Sequence, residues 1–311
     1  MISDAAQRRV AVTALAIGLA LMAAKFIAYG LSGSTAIFAD ALESLVNIAA
    51  GGIALWALIL AQRPADESHP YGHGKAEFLS AIAEGSMILL AGGVTAARAA
   101  EAVWRGVEVQ RLEWGVLLVA GAGAANGLTG AWLVRVGRRG GSMALEADGR
   151  HLLTDAYTSA ALVVTLGLIW LTGWAWLDPI AAFLMAVFLT VEGSKLIRRA
   201  SAGLMDETDP DDDALLRATL DRHVGPGGEE PRICSFHALR HRHVGRDHWV
   251  DFHCVVPADW NVDRGHQVAT ALEIELQRCL GAEDASVPGT ARATAHVEPC
   301  RDAACERCHV K

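Results

Sequence analysis

The chain has 311 residues, of which 52% are hydrophobic, and its net charge is −8 at neutral pH. Acidic and basic side chains balance in residues 1–199, so the whole excess of acids lies in residues 200–311. Acidic surfaces repel phosphates, which argues against nucleic acid as a partner, and the long apolar blocks argue against an ordinary soluble protein.

Six apolar blocks are each long enough to cross a bilayer as a helix, which needs about 20 residues. The first block follows two arginines, as a secretory signal does. It is long, however, contains Lys25 and precedes five similar segments, so we expect it to be retained as a span. The predicted spans are 10–30, 36–61, 78–103, 112–136, 149–172 and 176–197.

Basic residues near the ends of the spans are shared unevenly between the two sides of the membrane. Cytoplasmic loops of membrane proteins contain more Lys and Arg than the loops on the opposite side. In this chain, the side with more Lys and Arg includes both termini. We therefore expect a multi-pass protein of the inner (plasma) membrane with cytoplasmic N- and C-termini. The opposite side holds chiefly Arg105 and Arg111. The basic residues of the cytoplasmic side are Arg8, Arg9, Arg63, Lys75, Arg135, Arg138, Arg139, Lys195, Arg198 and Arg199.

After the last span, an acidic linker and a short helix precede two strand-like segments, an amphipathic helix and a third strand. The last four segments are "ICSFHALRHRH", "HWVDFHCVVP", "DRGHQVATALEIELQRCLG" and "ARATAHVEP". This order predicts a small cytoplasmic α+β domain with three strands and helices on one face. The predicted domains are a six-helix transmembrane domain at 1–205, the α+β domain at 206–299 and a Cys/His-rich tail at 300–311.

Residues 200–311 hold nine of the twelve histidines and all six cysteines. A cytosolic position keeps thiols reduced, which favours metal binding over disulfides. The tail places Cys300, Cys305, Cys308 and His309 close together, and thiolate with imidazole is a favoured zinc shell. Only the spacing of Cys305 and Cys308 is typical of zinc sites, so the tail is either a metal site or a terminal segment with incidental cysteines.

Two of the predicted spans carry pairs of polar residues four positions apart. Residues with this spacing share one face of a helix, so His151 and Asp155 can contact one ion. Glu43 and Asn47 repeat the geometry on the second span, one turn after Asp40. One nitrogen and three oxygens suit a borderline divalent cation. Polar pairing between packed helices is the alternative, but ionisable residues within spans more often mark a transport pathway.

The loop between the second and third predicted spans carries three further candidate ligands. Asp66, His69 and His73 lie in "RPADESHPYGHGKAE", where proline and glycine prevent a regular helix. We interpret the group as a second metal site, and a merely polar cytoplasmic loop is the alternative.

Four stretches of this chain resemble sequences of the cation diffusion facilitator family: "GSTAIFADALESLVN", "HPYGHGKAE", "RHLLTD" and "LDPIAA". The resemblance covers nearly the whole chain and includes the His-rich α+β tail. It implies a homodimeric proton antiporter that expels zinc, iron, cobalt, cadmium or manganese from the cytosol. It also implies a transport site at Glu43, Asn47, His151 and Asp155.

The resemblance extends to residues outside the spans. It implies a loop site at Asp66, His69 and His73 and a charge pair between Lys75 and Asp206. Surface histidines on strands are often merely solvated, and His241, His243 and His248 fit that description equally well. The tail ligands that the resemblance implies are His237, His253, His266 and His296, with Glu298 in place of an aspartate.

The second span departs from the family pattern, in which His or Asp is followed by Asp. Here the pair is Glu43 and Asn47, so the site has a formal charge of about −2 with a neutral His151, which a dication would balance. Asn47 is a weak, neutral ligand, and we expect modest affinity and easy release. The absence of thiolate from the spans disfavours Cu(I), while Zn²⁺ (most expected), Fe²⁺, Co²⁺, Mn²⁺ and Cd²⁺ stay open as substrates and regulators.

We therefore predict a proton-coupled exporter of divalent transition metals that is not an enzyme. Its partners are metal ions, protons, the bilayer and a second copy bound through the cytoplasmic domain. A membrane-anchored metal sensor is the first alternative, against which the intramembrane Asp155 argues. A metal-dependent membrane hydrolase is the second, and no separate base or nucleophile beside the four ligands supports it.

Overall fold

The computed structural model describes residues 4–106, 112–140, 143–244, 247–281 and 291–301. The chain divides into two compact units. The first comprises Met1–Ile53 and Ala83–Ile197, and the second comprises Ala54–Ile82 and Arg198–Lys311.

Six long helices account for most of the first 204 residues. All six are long and apolar enough to cross a membrane, which confirms the six predicted spans. Several extend past the predicted ends, because a helix continues beyond the apolar stretch that crosses hydrocarbon. The helices are α1 (Asp4–Ser32), α2 (Thr35–Ala61), α3 (Ala76–Arg105), α4 (Leu112–Gly140), α5 (Met143–Thr172) and α6 (Leu177–Leu204).

Helices α4 and α5 approach each other closely where each carries a glycine. A Cβ atom on Gly149 would lie 2.7 Å from the backbone nitrogen of Val134 and 2.8 Å from the carbonyl oxygen of Gly130. Small residues allow such backbone approaches between membrane helices. The contact lies two residues before His151, so it fixes the part of α5 that carries the candidate ligands.

The start of α2 is held by a buried carboxylate of α6. Asp178 is 0% exposed and accepts a hydrogen bond from the backbone nitrogen of Thr35 at 2.7 Å. It also accepts from the hydroxyls of Ser34 and Thr35. A carboxylate suits the positive end of the helix dipole, and these bonds satisfy groups that would otherwise be orphaned within the apolar core. This contact gives "LDPIAA" a structural role, since it anchors the helix that carries Glu43 and Asn47.

The second unit contains the predicted order of helix, strand, strand, helix and strand, which confirms the α+β prediction. Strand β1 pairs antiparallel with β2, and β2 pairs parallel with β3. Leu216, Phe252 and Leu276 form part of the core shared by the helices and the sheet. The elements are α7 (Pro210–Asp221), β1 (Ser235–Val244), β2 (Asp247–Val256), α8 (Val262–Cys279) and β3 (Ala291–Pro299).

Helix α7 begins with a cap that the acidic linker supplies. The Asp209 side chain accepts hydrogen bonds from the backbone nitrogens of Asp211, at 2.9 Å, and Asp212. These bonds lower the pKa of the Asp209 carboxyl, because they favour its charged form. Pro210 occupies the first turn, where its missing N–H costs nothing. The cap fixes the direction in which the first turn of α7 presents its acids.

Candidate metal sites

The intramembrane candidates on α5 are close enough to act together. His151 Nε2 lies 3.9 Å from Asp155 Oδ1. The His151 side chain is 51% exposed, whereas that of Asp155 is only 10% exposed. The pair thus combines an exposed imidazole with a buried carboxylate.

The candidates on α2 face the same carboxylate. The side chain of Asn47 interacts with Asp155, and Glu43 lies within electrostatic range of Asp155 as well. Within the part of the chain that the structure describes, the buried Nδ2 of Asn47 has no hydrogen-bond partner. The structure therefore brings two residues of α2 and two of α5 into one polar cluster inside the spans.

A buried ion pair beside this cluster was not foreseen from the sequence. Lys25 Nζ lies 2.8 Å from Asp40 Oδ1 and 2.9 Å from Ser44 Oγ, and both charged residues are 1% exposed. Ser159 of α5 donates to the same Asp40 oxygen at 3.4 Å. A charged side chain within a span needs a partner of opposite charge, and Lys25 and Asp40 are such partners for each other. Asp40 therefore belongs to a link between α1, α2 and α5.

The loop candidates gather between α2 and α3. Asp66 Oδ1 lies 3.3 Å from His69 Nδ1, and Asp66 Oδ2 lies 3.5 Å from His73 Nε2. Hydrogen bonds from the Ser68 side chain and the His69 backbone lower the pKa of the Asp66 carboxyl to about 2. Asp66 is thus a carboxylate at any physiological pH, and with the two imidazoles it forms a set of ligands that suits zinc.

A second histidine group crosses the three-stranded sheet in one row. His237 is the register partner of His253 on β2, and His253 is the partner of His296 on β3. Glu298 Oε2 lies 3.0 Å from His237 Nε2, and its Oε1 lies 2.9 Å from His253 Nδ1 and 3.7 Å from His296 Nε2. Hydrogen bonds from His237 and His253 lower the pKa of Glu298. The row joins all three strands around one carboxylate.

The other predicted tail ligands are not all brought to this row. His266 is exposed on α8 and lies outside the set of His237, His253 and Glu298, whose ligand atoms come within 4.8 Å of one another. Cys300 is half-buried, while Cys305 and Cys308 lie outside the described residues.

Two further cysteines, Cys234 and Cys254, are buried in the α+β domain. Burial raises the pKa of the Cys254 thiol to about 12, so it stays protonated at neutral pH. The thiolate is the form that binds metal. Cys254 is part of the apolar core of the domain.

The two residues of the predicted charge pair outside the spans also lie close together in the structure. Lys75 Nζ lies 3.0 Å from Asp206 Oδ1, and Arg242 NH1 lies 3.3 Å from Asp206 Oδ2. Arg242 also lies over the ring of Tyr71, 5.2 Å from its centroid. Asp206 is thus shared by the residue before α3 and by strand β1. The sequence pointed to the lysine and not to the arginine.

Comparison with known proteins gives the family. Residues 11–205 match the model described as the cation efflux transmembrane domain, and residues 228–300 match that described as the cation efflux protein, cytoplasmic domain. The uncharacterized transporter sll1263 of Synechocystis sp. is 38% identical over 297 residues, covering 95% of this chain and 91% of that protein. The chain therefore belongs to the cation diffusion facilitator, or cation efflux, family of membrane transporters.

A more distant relative agrees with this assignment. The cation-efflux pump FieF of Shewanella oneidensis is 29% identical over 277 residues, covering 88% of this chain and 89% of the pump. The solved zinc form of CzrB is 29% identical and covers 30% of this chain and 91% of its own, with a TM-score of 0.24. The family assignment does not depend on that structure.

Proposed function

We propose that this chain exports a divalent transition-metal ion from the cytosol in exchange for protons, and that Glu43, Asn47, His151 and Asp155 bind the ion in transit. The observation that carries the proposal is the polar cluster within the spans, where His151 and Asp155 on α5 lie 3.9 Å apart and Asp155 interacts with Asn47 and Glu43 on α2. A formal charge of about −2 matches a dication, which would make the filled site neutral.

Coupling to protons follows from competition for the same ligand atoms. A metal ion needs a neutral imidazole and an ionised carboxylate, so protons and metal exclude each other at His151 and Asp155. Because the atoms that bind metal are the atoms that bind protons, a proton gradient can drive this exchange. An inward-facing site would take up metal, and an outward-facing site that meets more protons would release it.

One nitrogen and three oxygens leave several metals as substrates. Zn²⁺ accepts imidazole and carboxylate together and is the ion we expect first, while Fe²⁺, Co²⁺, Mn²⁺ and Cd²⁺ fit the same ligands less selectively. The absence of cysteine from the spans disfavours Cu(I), which prefers thiolate.

We assign transport to residues 1–205 and regulation to residues 206–299, with both termini in the cytoplasm of a cell whose inner (plasma) membrane holds the spans. The match to a family model for a cytoplasmic domain supports this orientation. We also assign homodimer formation to this domain. Metal at the sheet row of His237, His253, His296 and Glu298, at His266 and at the cysteines of 300–311 would offset the domain's acidic charge. Such binding would favour one arrangement of the two copies.

Purified protein in sealed vesicles tests the function directly. The vesicles are loaded with Zn²⁺ at neutral pH and placed in a more acidic buffer, and Zn²⁺ should then leave the lumen. Fe²⁺, Co²⁺, Mn²⁺ and Cd²⁺, tested in the same way, should leave at lower rates. Collapsing the pH gradient with an ionophore should slow the flux. Flux that is absent for every metal would refute transport and leave a membrane-anchored sensor, and flux that ignores the gradient would refute coupling to protons.

The substitution Asn47→Asp should tighten metal binding. An added carboxylate raises the formal charge of the site to about −3 and replaces a neutral ligand by an ionised one, and we expect about tenfold higher affinity, or about 1.4 kcal/mol. Calorimetric titration of the purified protein with Zn²⁺ measures the change. Leu45→Asn, on an exposed position of the same helix, is the control and should leave affinity as it is. Unchanged affinity in Asn47→Asp would remove Asn47 from the ligand set.

A further inference from the structure

A third group of imidazoles lies at the other end of the β1–β2 pair, away from the row around Glu298. His243 and His248 are register partners across the two strands. Asp212, in the first turn of α7, faces both: its Oδ2 lies 3.0 Å from His243 Nε2 and 3.9 Å from His248 Nδ1. Two strands and a helix therefore direct one ligand atom each toward the same point.

The distances suit a tetrahedral ion. Zinc binds nitrogen and oxygen at about 2.0–2.1 Å, which puts tetrahedral ligand atoms about 3.4 Å apart. The two separations from Asp212 lie on either side of that value, and all three ligand atoms come within 4.8 Å of one another.

A third histidine holds His248 in the required orientation. His241 Nδ1 lies 3.1 Å from His248 Nε2, on the side of the ring opposite to the nitrogen that faces Asp212. Metal-bound histidines generally use their second ring nitrogen in such a bond, which fixes the tautomer and the angle of the ring. His241 is 5% exposed and His248 is 8% exposed, so both rings are held by packing. Solvated strand histidines would not show this burial.

The charge around the cluster also favours a cation. Asp209, which caps α7, lies within electrostatic range of His241 and His243, and Asp213 lies within range of His241. Asp209 is committed to backbone hydrogen bonds and Asp213 to Arg217, at 2.7 Å. Asp212 is the carboxylate of this turn that is directed at the imidazoles, while its neighbours contribute negative potential.

We propose that Asp212, His243 and His248 bind a divalent transition-metal ion of the zinc and cobalt class, with His241 as a positioning residue. This site shares no residue with the intramembrane cluster, the loop group or the sheet row. Its ion joins the first turn of α7 to the β1–β2 hairpin. Asp206, which pairs with Lys75 and Arg242, lies just before α7. Metal binding at this site therefore stabilises the segment that leads from α6 into the sheet.

Counting ions on the full-length protein tests the proposal without any gradient or vesicle, so its outcome is independent of transport. Equilibrium dialysis against Co²⁺ should show one bound ion fewer per chain for Asp212→Asn than for wild type. Asp213→Asn makes the same charge change at the adjacent residue and should keep the wild-type count. Equal counts for Asp212→Asn and wild type would overturn the proposal.

A variant that gains a spectroscopic signal tests the site in a way that misfolding cannot imitate. His243→Cys places a thiolate at the site, and Co²⁺ should then produce a more intense near-ultraviolet thiolate-to-cobalt band than in His243→Ser, where only the native cysteines can contribute. Identical spectra for the two variants would overturn the assignment of His243. His241→Gln should keep the number of ions, weaken this one by about 10- to 100-fold and shift its visible cobalt bands, as expected for a positioning partner. An unchanged cobalt spectrum would remove His241 from the site.

Discussion

The variants His151→Ala and Asp155→Asn are expected to lose at least about 99% of gradient-driven metal flux in vesicles. Each removes one ligand of four, and a loss of about 2.8 kcal/mol of ion binding corresponds to about 100-fold. The loss should be greater for Asp155→Asn, because Asp155 is the more buried ligand and carries charge that the imidazole does not. Initial rates of Zn²⁺ release at fixed pH gradients measure both effects.

Tyr157→Phe is the matched control for these variants. Tyr157 lies on α5 close to both ligands, but its side chain is 75% exposed, and the substitution removes only a hydroxyl. Its flux should equal that of wild type. Wild-type flux in His151→Ala would remove the imidazole from the transport site, and wild-type flux in Asp155→Asn would do the same for the carboxylate.

The second large effect concerns stability. Lys25→Ala should lower the free energy of unfolding by about 3–5 kcal/mol, because it leaves the Asp40 carboxylate buried without its charged partner. Lys25 and Asp40 are each 1% exposed, so water cannot replace the lost contact. Thermal unfolding of the purified protein in detergent, followed through its helical signal, measures the loss.

A double variant shows whether the stability is lost because the ion pair is broken or because a side chain is removed. Lys25→Met with Asp40→Asn removes both charges while keeping the volume, and it should recover most of the stability lost in Lys25→Ala. Replacing both members of a buried ion pair is often nearly neutral. If Lys25→Ala is as stable as wild type, or if the double variant is worse than the single one, the pair does not have the assigned role.

The features that the sequence predicted are those with a local signature. Six apolar stretches were enough to locate α1–α6, and alternating patterns located β1, β2 and β3. The four-residue spacing of His151 and Asp155 implied a shared helix face, and the structure places His151 Nε2 3.9 Å from Asp155 Oδ1. In each case, one segment of chain contains all the information that the prediction needs.

The features that escaped prediction depend on which segments meet. Lys25 and Asp40 lie on different helices, and nothing in either segment names the other as its partner. Asp178 contacts the start of α2 from 143 residues away. Such pairs arise from helix packing, which local patterns do not encode.

Strand register explains why the sequence did not predict the group formed by three of the histidines. From sequence alone, His241, His243 and His248 could equally be solvated. Once the hairpin pairs His243 with His248, the three rings come together and two of them become buried. His266 shows the reverse, since a position implied by family resemblance lies outside the row around Glu298 in this chain.

The most direct test of the central claim is whether a metal gradient alone can move protons. Vesicles are prepared with equal pH on both sides, with Zn²⁺ only in the lumen and a pH-sensitive dye trapped inside. Wild-type protein should acidify the lumen as Zn²⁺ leaves, and Asp155→Asn should show neither movement. Zinc efflux with no change in lumenal pH, or undiminished exchange in Asp155→Asn, would contradict a site that metal and protons occupy in turn.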